Sequence, residues 1–302
     1  MYRFNLIVCI LLCTYSFYGQ RTQLLSFDYS RADSIALNFP RNRYKSIEEF
    51  TTALTQKVDT DHEKFRVIFR WITNNIDYRI GRSYDDVEDV LKKKKGDGAA
   101  FASLLEAMAH SAELRCETIH GYEKVNPFTD LPKNMKAPDH AWNAVFLAGQ
   151  WHLTDVSWAA GTIEPKRRRF NKGFRELWYL PDANFFIHTH YPESERWMFH
   201  DIDYGKRQFK REPIFLFGSN HLGIKLAKNS KGTVRKRLKV EFKSESDVEW
   251  ATIQFHGDED AYNVLLRKFK TTYRINYSLD PEKDGPFTLF LNGKECFTYL
   301  KK

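Results

Sequence analysis

Residues 140–158, "HAWNAVFLAGQWHLTDVSW", leave this chain few ways to fold. Two alternating runs flank Ala148-Gly149, the pattern of two antiparallel strands joined by a tight turn. A two-residue loop sets Leu147 opposite Gln150 and Trp142 opposite Asp155. His140 and Asp155 then share a face as diagonal neighbours within side-chain reach. A three-residue loop would reverse that parity and part them, because strand side chains alternate with a period of two. Register alone therefore brings an imidazole and a carboxylate together.

A helix stands upstream, in "VLKKKKGDGAAFASLLEAM". Phe101, Leu104, Leu105, Met108 and Ala112 fall on one face, and the Ala and Leu content favours the same conformation. Asp97-Gly98 opens it, with Asp97 as the N-cap candidate. "SIEEF" and "DHEKFRVIFRWITNNIDYR" also read as helices. In the latter, Phe65, Ile68, Phe69, Ile72 and Ile76 recur at helical spacing behind a start signal at Asp61 and Glu63. "RCETIHGY" reads as a short strand. From about residue 205 the chain changes to short alternating runs, "PIFLFG", "RLKVEFKS", "WATIQFHG", "TYRINYSL" and "FTLFLNG", separated by turn-rich spacers. That spacing predicts a separate antiparallel β-sandwich over residues 205–302.

The first nineteen residues read as an export signal: Arg3 gives a positive start, Leu6 to Cys13 an apolar core, and Gly19 a small residue at the cut. The apolar run is too short to span a bilayer. The expected mature chain is exported to a periplasm, cell surface or extracellular space, with a polar lead-in over residues 20–45. Cys9 and Cys13 leave with the signal. Cys116 and Cys296 remain, too few for a disulfide scaffold and without zinc spacing; two free buried thiols are expected rather than a bridge. The net charge of +8 gathers in two short runs, residues 92–95 and 166–169. It allows weak binding to anionic polymers, but no nucleic-acid motif accompanies it. His188 and His190 share a face at strand spacing without a third ligand nearby, so no metal or cofactor is expected.

In order, "FRWITNNIDYR", "KKGDGAAFASLLEAM", "HGYEK", "DHAWNAVFLAGQWHLTDVSW" and "FFIHTHYPESERWMF" resemble the transglutaminase-like superfamily, most of all its kyphoscoliosis-peptidase-type branch. The likeness covers about residues 45 to 200, within an expected domain at 46–204. It implies an α+β, papain-like core ahead of the β-sandwich, and a Cys–His–Asp triad in which the cysteine opens a helix, the histidine shuttles a proton and the aspartate fixes its tautomer. His140 and Asp155 take the last two places. Gly96, Phe101 and Ala102 match the residues flanking the cysteine, and the cysteine's own place falls on Gly98.

A glycine has no atom with which to attack a carbonyl. Cys116 falls where the family often carries a core cysteine, and Ser103 should face away from the site. The sequence thus points to a catalytically dead member whose groove, lined by Asp97, Trp142, Asn143 and Trp158, holds protein or cell-wall peptides. Trp142, Trp151 and Trp158 read first as packing residues. The alternative is an active cysteine peptidase or protein-glutamine amide transferase that uses Cys116 or another register.

Overall fold

The computed structural model describes residues 27–302 apart from 41–43, 82, 83, 85, 165–168, 201, 228 and 229; the export signal and the core of the second basic run lie outside the described residues. The chain forms two compact units. One joins the residues up to His120 with His140–Pro181, and the other joins Gly121–Asp139 with Asp182–Lys302. Residues 182–204 therefore belong with the C-terminal part, so the change in composition near 205 and the change in packing do not coincide.

Among the described residues of the first unit, five helices precede the hairpin: α1 (Ser30–Leu37), α2 (Ile47–Thr55), α3 (Asp61–Asn75), α4 (Val87–Lys93) and α5 (Gly98–Ser111). The side chain of Ser46 caps α2 by accepting from the Glu49 N–H. The apolar stripe of α3 understates its burial, since every residue from 65 to 73 is buried, Arg66 included. Arg66 is held there by bidentate bonds to Asp33, at 2.6 and 2.8 Å, and by Glu176. Its guanidinium lies 4.5 Å from the Tyr179 ring centroid, so charge and aromatic packing together offset desolvation.

Strand β1 (Cys116–Glu123) passes from the first unit into the second. Strands β2 (His140–Leu147) and β3 (Gln150–Thr154) form the expected hairpin, with Leu147 opposite Gln150 and Asn143 opposite Thr154. Ala148 and Gly149 both take positive φ, 49° and 80°, the two-residue turn whose twist matches the strands. The short helix α6 (Val156–Ala160) follows directly.

In the second unit, Gly121 to Glu123 pair with β4 (His190–Pro192). Beyond it the expected antiparallel sheets form. The first runs β6 (Lys225–Leu226), β7 (Arg237–Lys243), β11 (Thr272–Ser278), β10 (Leu266–Phe269). The second contains β8 (Ala251–Phe255), β9 (Tyr262–Val264), β12 (Gly285–Leu291) and β13 (Lys294–Lys301), with β5 (Ile214–Phe215) and a parallel Thr233–Val234 segment on β13. "PIFLFG" supplies only two strand residues before the chain turns into a helix at Phe217–His221.

Among the described residues of this unit Lys124 is the most deeply buried cation, at 1% exposure. Its Nζ donates to the carbonyls of Phe209 and Glu212 at 2.8 and 3.0 Å and lies 3.8 Å from the Glu212 carboxylate. Burial pushes its pKa down to about 8, against the pull of Glu212 and Asp130. Unfolding restores the ordinary value of 10.5, so above pH 8 this lysine binds more protons in the unfolded chain and its contribution to stability rises with pH. Between pH 8 and 9.5 that contribution is a gain of about 2 kcal/mol, while the buried thiols of Cys116 and Cys296, raised in the folded state, act in the opposite sense. Urea unfolding of the parent and of Lys124→Met should therefore differ in pH slope by the lysine's share, and equal slopes would show that Lys124 contributes none.

Candidate active site

The head of α5 is fixed from both sides. Lys95 and Gly96 pair in parallel with Asp77 and Tyr78, and Asp97 accepts from the Ala100 N–H at 3.0 Å. The basic run just before it is used locally. Lys93 pairs with Asp89 at 3.1 Å, Lys94 takes the left-handed C-cap of α4, and both sit where a helix C-terminus favours cations.

Gly98 is the first residue of α5 and is buried. A methyl group built on it would lie 2.8 Å from Nδ1 and 2.9 Å from Cε1 of His140, and 3.8 Å from Oγ of Ser157. The imidazole therefore leans into the space that a side chain at position 98 would take. Its Nε2 lies 2.6 Å from Oδ2 of Asp155, and the two side chains are only 4% and 1% exposed. Asp155 is the N-cap of α6: Oδ1 accepts from the Trp158 N–H and from the Ser157 hydroxyl, each at 2.8 Å. A carboxylate can only accept, so Nε2 carries a proton toward it, and in the neutral form of the ring the other nitrogen, Nδ1, is the basic one. The Nδ1–Cε1 edge lies beside Gly98. The arrangement can hold and return a proton at the helix head, where backbone N–H groups favour developing negative charge.

The four groove candidates separate. Trp142 and Asn143 are 1% and 0% exposed, and Asn143 donates to the Ala102 carbonyl at 3.0 Å and to Thr118 Oγ1 at 3.3 Å. These contacts clamp β2 to α5. Asp97 and Trp158 stay partly exposed. The Trp158 ring lies 5.9 Å from that of His140 and meets Trp178 edge-on at 4.6 Å. Ser157 was not singled out in the sequence; the Asp-x-Ser spacing at a helix start, where a hydroxyl can steady the capping carboxylate, is the signal that marks it.

Cys116 opens β1 at 1% exposure, and burial pushes its thiol far above the ordinary range, with the charge of Glu106 acting the same way. Cys296 is likewise buried, with a thiol pushed up to about 12. Both are free, as expected. In the second unit, His188 bonds to Glu212 at 2.9 Å and stacks on Phe215, while His190 bonds to Thr189 at 2.8 Å and stacks on Phe186.

Residues 48–156, which include Gly98, His140 and Asp155, match the sequence model of the transglutaminase-like superfamily. Human kyphoscoliosis peptidase is 29% identical over 193 residues, 62% of this chain and 29% of its own length. Hillarin of Drosophila melanogaster is 25% identical over 222 residues, 68% of this chain and 27% of its own. The chain thus spans under a third of the length of these curated relatives. The solved structure of a candidate cysteine protease from Cytophaga hutchinsonii shares 23% identity over 44% of each chain, with a TM-score of 0.31.

Proposed function

Residues 48–156 form a domain of the transglutaminase-like superfamily, in the branch of kyphoscoliosis peptidase, and on that footing we propose that the protein is an exported binder of protein or cell-wall peptides that has lost the nucleophile of its fold. The observation that carries this reading is the placement of Gly98 against the Nδ1–Cε1 edge of His140. Acyl transfer through a covalent intermediate needs a sulfur or oxygen between them, and position 98 brings no side-chain atom. Removing an essential nucleophile from such a triad costs about 10⁶ in rate. The oxyanion and binding contacts that survive leave roughly 10³ to 10⁴ over water, too little for a working enzyme.

Cys116 is a poor substitute. A thiolate is the reactive species, and burial holds this thiol protonated. Trp158, partly exposed and braced by Trp178, supplies an aromatic wall on which a peptide side chain can pack. Export rests on the N-terminal signal alone.

The test has two arms. Iodoacetamide should leave Cys116 and Cys296 unlabelled in the native protein and label both after denaturation. Peptides selected from an array of protein and muropeptide fragments should bind, return intact by mass spectrometry, and bind less well to Trp158→Ala. Rapid stoichiometric labelling of native Cys116, or turnover of a bound peptide, would replace this reading with an active peptidase or amide transferase.

A further inference from the structure

We propose that the outer face of the sheet β6-β7-β11-β10 binds a linear acidic polysaccharide, a role separate from the site around His140. Along β7 the side chains alternate without exception. Leu238, Val240 and Phe242 are buried, while Arg237, Lys239, Glu241 and Lys243 are exposed. On the same face Arg274 stands opposite Glu241 and Asn276 opposite Lys239. Arg267 stands opposite Arg274, and Lys225 opposite Lys243.

Six exposed cations thus share one sheet face. Arg274 pairs with Glu241 at 2.8 Å, Lys225 lies 3.6 Å from Glu245, and Arg237 donates to the Ser278 hydroxyl at 3.2 Å. Lys239, Lys243 and Arg267 have no ion-pair partner among the described residues. Two of the cross-strand pairs, Arg267–Arg274 and Lys225–Lys243, bring like charges directly opposite each other. Such pairs destabilise a sheet, and solubility alone is better served by interspersed signs. A bound polyanion turns both repulsions into attractions.

The shape of the charge selects the ligand. Arg237, Lys239 and Lys243 form a row along β7 about 20 Å long, in steps that are multiples of about 7 Å, with Arg274 and Arg267 beside it. A row fits a hydrated chain of fixed anions. A bilayer calls for apolar groups that enter it, and here the exposed apolar side chains are confined to the edge strand and its start, Phe269 and Leu265. Single-stranded nucleic acid calls for aromatic platforms between the cations. The places between the cations along the row hold Glu241, Thr272, Asn276 and Ser278, and the aromatic on this face, Phe269, lies on the edge strand with the Arg274 guanidinium 5.4 Å from its ring centroid.

The purified protein would be titrated calorimetrically with a heparin decasaccharide and with oligogalacturonate, at 50 and 200 mM salt. Binding at 50 mM should weaken at least tenfold at 200 mM, as counterion release and screening require. Lys239→Glu with Arg267→Glu should weaken it at least tenfold at 50 mM, with thermal melts confirming the fold. Lys45→Glu with Lys57→Glu, the same charge change on exposed residues of the first unit, should change it less than twofold. Arg267→Ala relieves a like-charge pair and keeps the test valid should the reversal misfold; it should weaken binding without lowering the melting temperature. Equal losses in both double variants would reduce the effect to net charge. No binding at 50 mM, or tighter binding to duplex DNA or phosphatidylglycerol vesicles lost in the same variant, would overturn the assignment.

Discussion

Gly98→Cys is expected to yield a thiol that reacts with iodoacetamide at least about 10³-fold faster than Cys116 does in the parent protein, because a cysteine at a helix head beside an imidazole ionises far more readily than a buried one. Its reaction should reach half-maximal rate below the ordinary thiol pKa of about 8.5. The new side chain does not enter freely. Its Cβ meets Nδ1 of His140 at 2.8 Å, so the ring must swing back, at a cost of about 1–3 kcal/mol for overpacking. Gly98→Ala introduces the same crowding without sulfur and separates the packing cost from the chemistry. Adding His140→Ala to Gly98→Cys should restore ordinary thiol reactivity. A Gly98→Cys thiol no faster than an exposed cysteine would show that the helix head no longer supports ionisation, and the idea of a site short of one side chain would fall with it.

What the sequence reveals of this site is what local rules govern. Ala148-Gly149 dictates a two-residue turn, the turn dictates the register, and the register brings His140 Nε2 to 2.6 Å from Asp155 Oδ2. Asp97 caps α5 for equally local reasons. The closeness of His140 to position 98 has no such signal, because it depends on how the hairpin packs against α5. Burial misleads in the same manner. Trp142 and Asn143 look like groove residues by position, yet both are buried, and Asn143 is consumed in joining the hairpin to α5. Arg66 sits in the middle of an apolar helix because Asp33 and Glu176, distant in sequence, converge on it. The strand Lys294–Lys301 goes unread in the sequence because its alternation is weak, although the turn-forming pair Asn292-Gly293, with φ of 49° and 73°, precedes it.

The pairing of His140 with Asp155 invites a functional explanation, but Asp155 also has structural work. Its carboxylate, 1% exposed, satisfies three donors: His140 Nε2, the Ser157 hydroxyl and the Trp158 N–H that opens α6. Asp155→Ala strands all three in a dry site and removes a helix cap, so chemical denaturation is expected to show a loss of about 3–5 kcal/mol. Asp155→Asn keeps an acceptor for Ser157 and Trp158 and opposes only the imidazole, which can answer by moving its proton to Nδ1; the expected loss is about 1 kcal/mol. The same Asn in a Gly98→Cys background presents the wrong tautomer to the thiol and should return its iodoacetamide reactivity to that of an ordinary cysteine. Stability and chemistry are thereby set apart: Asn spares the first and ruins the second. If Asp155→Ala costs less than about 1 kcal/mol, the scaffold does not require the carboxylate, and its persistence beside His140 must be sought in what the groove binds.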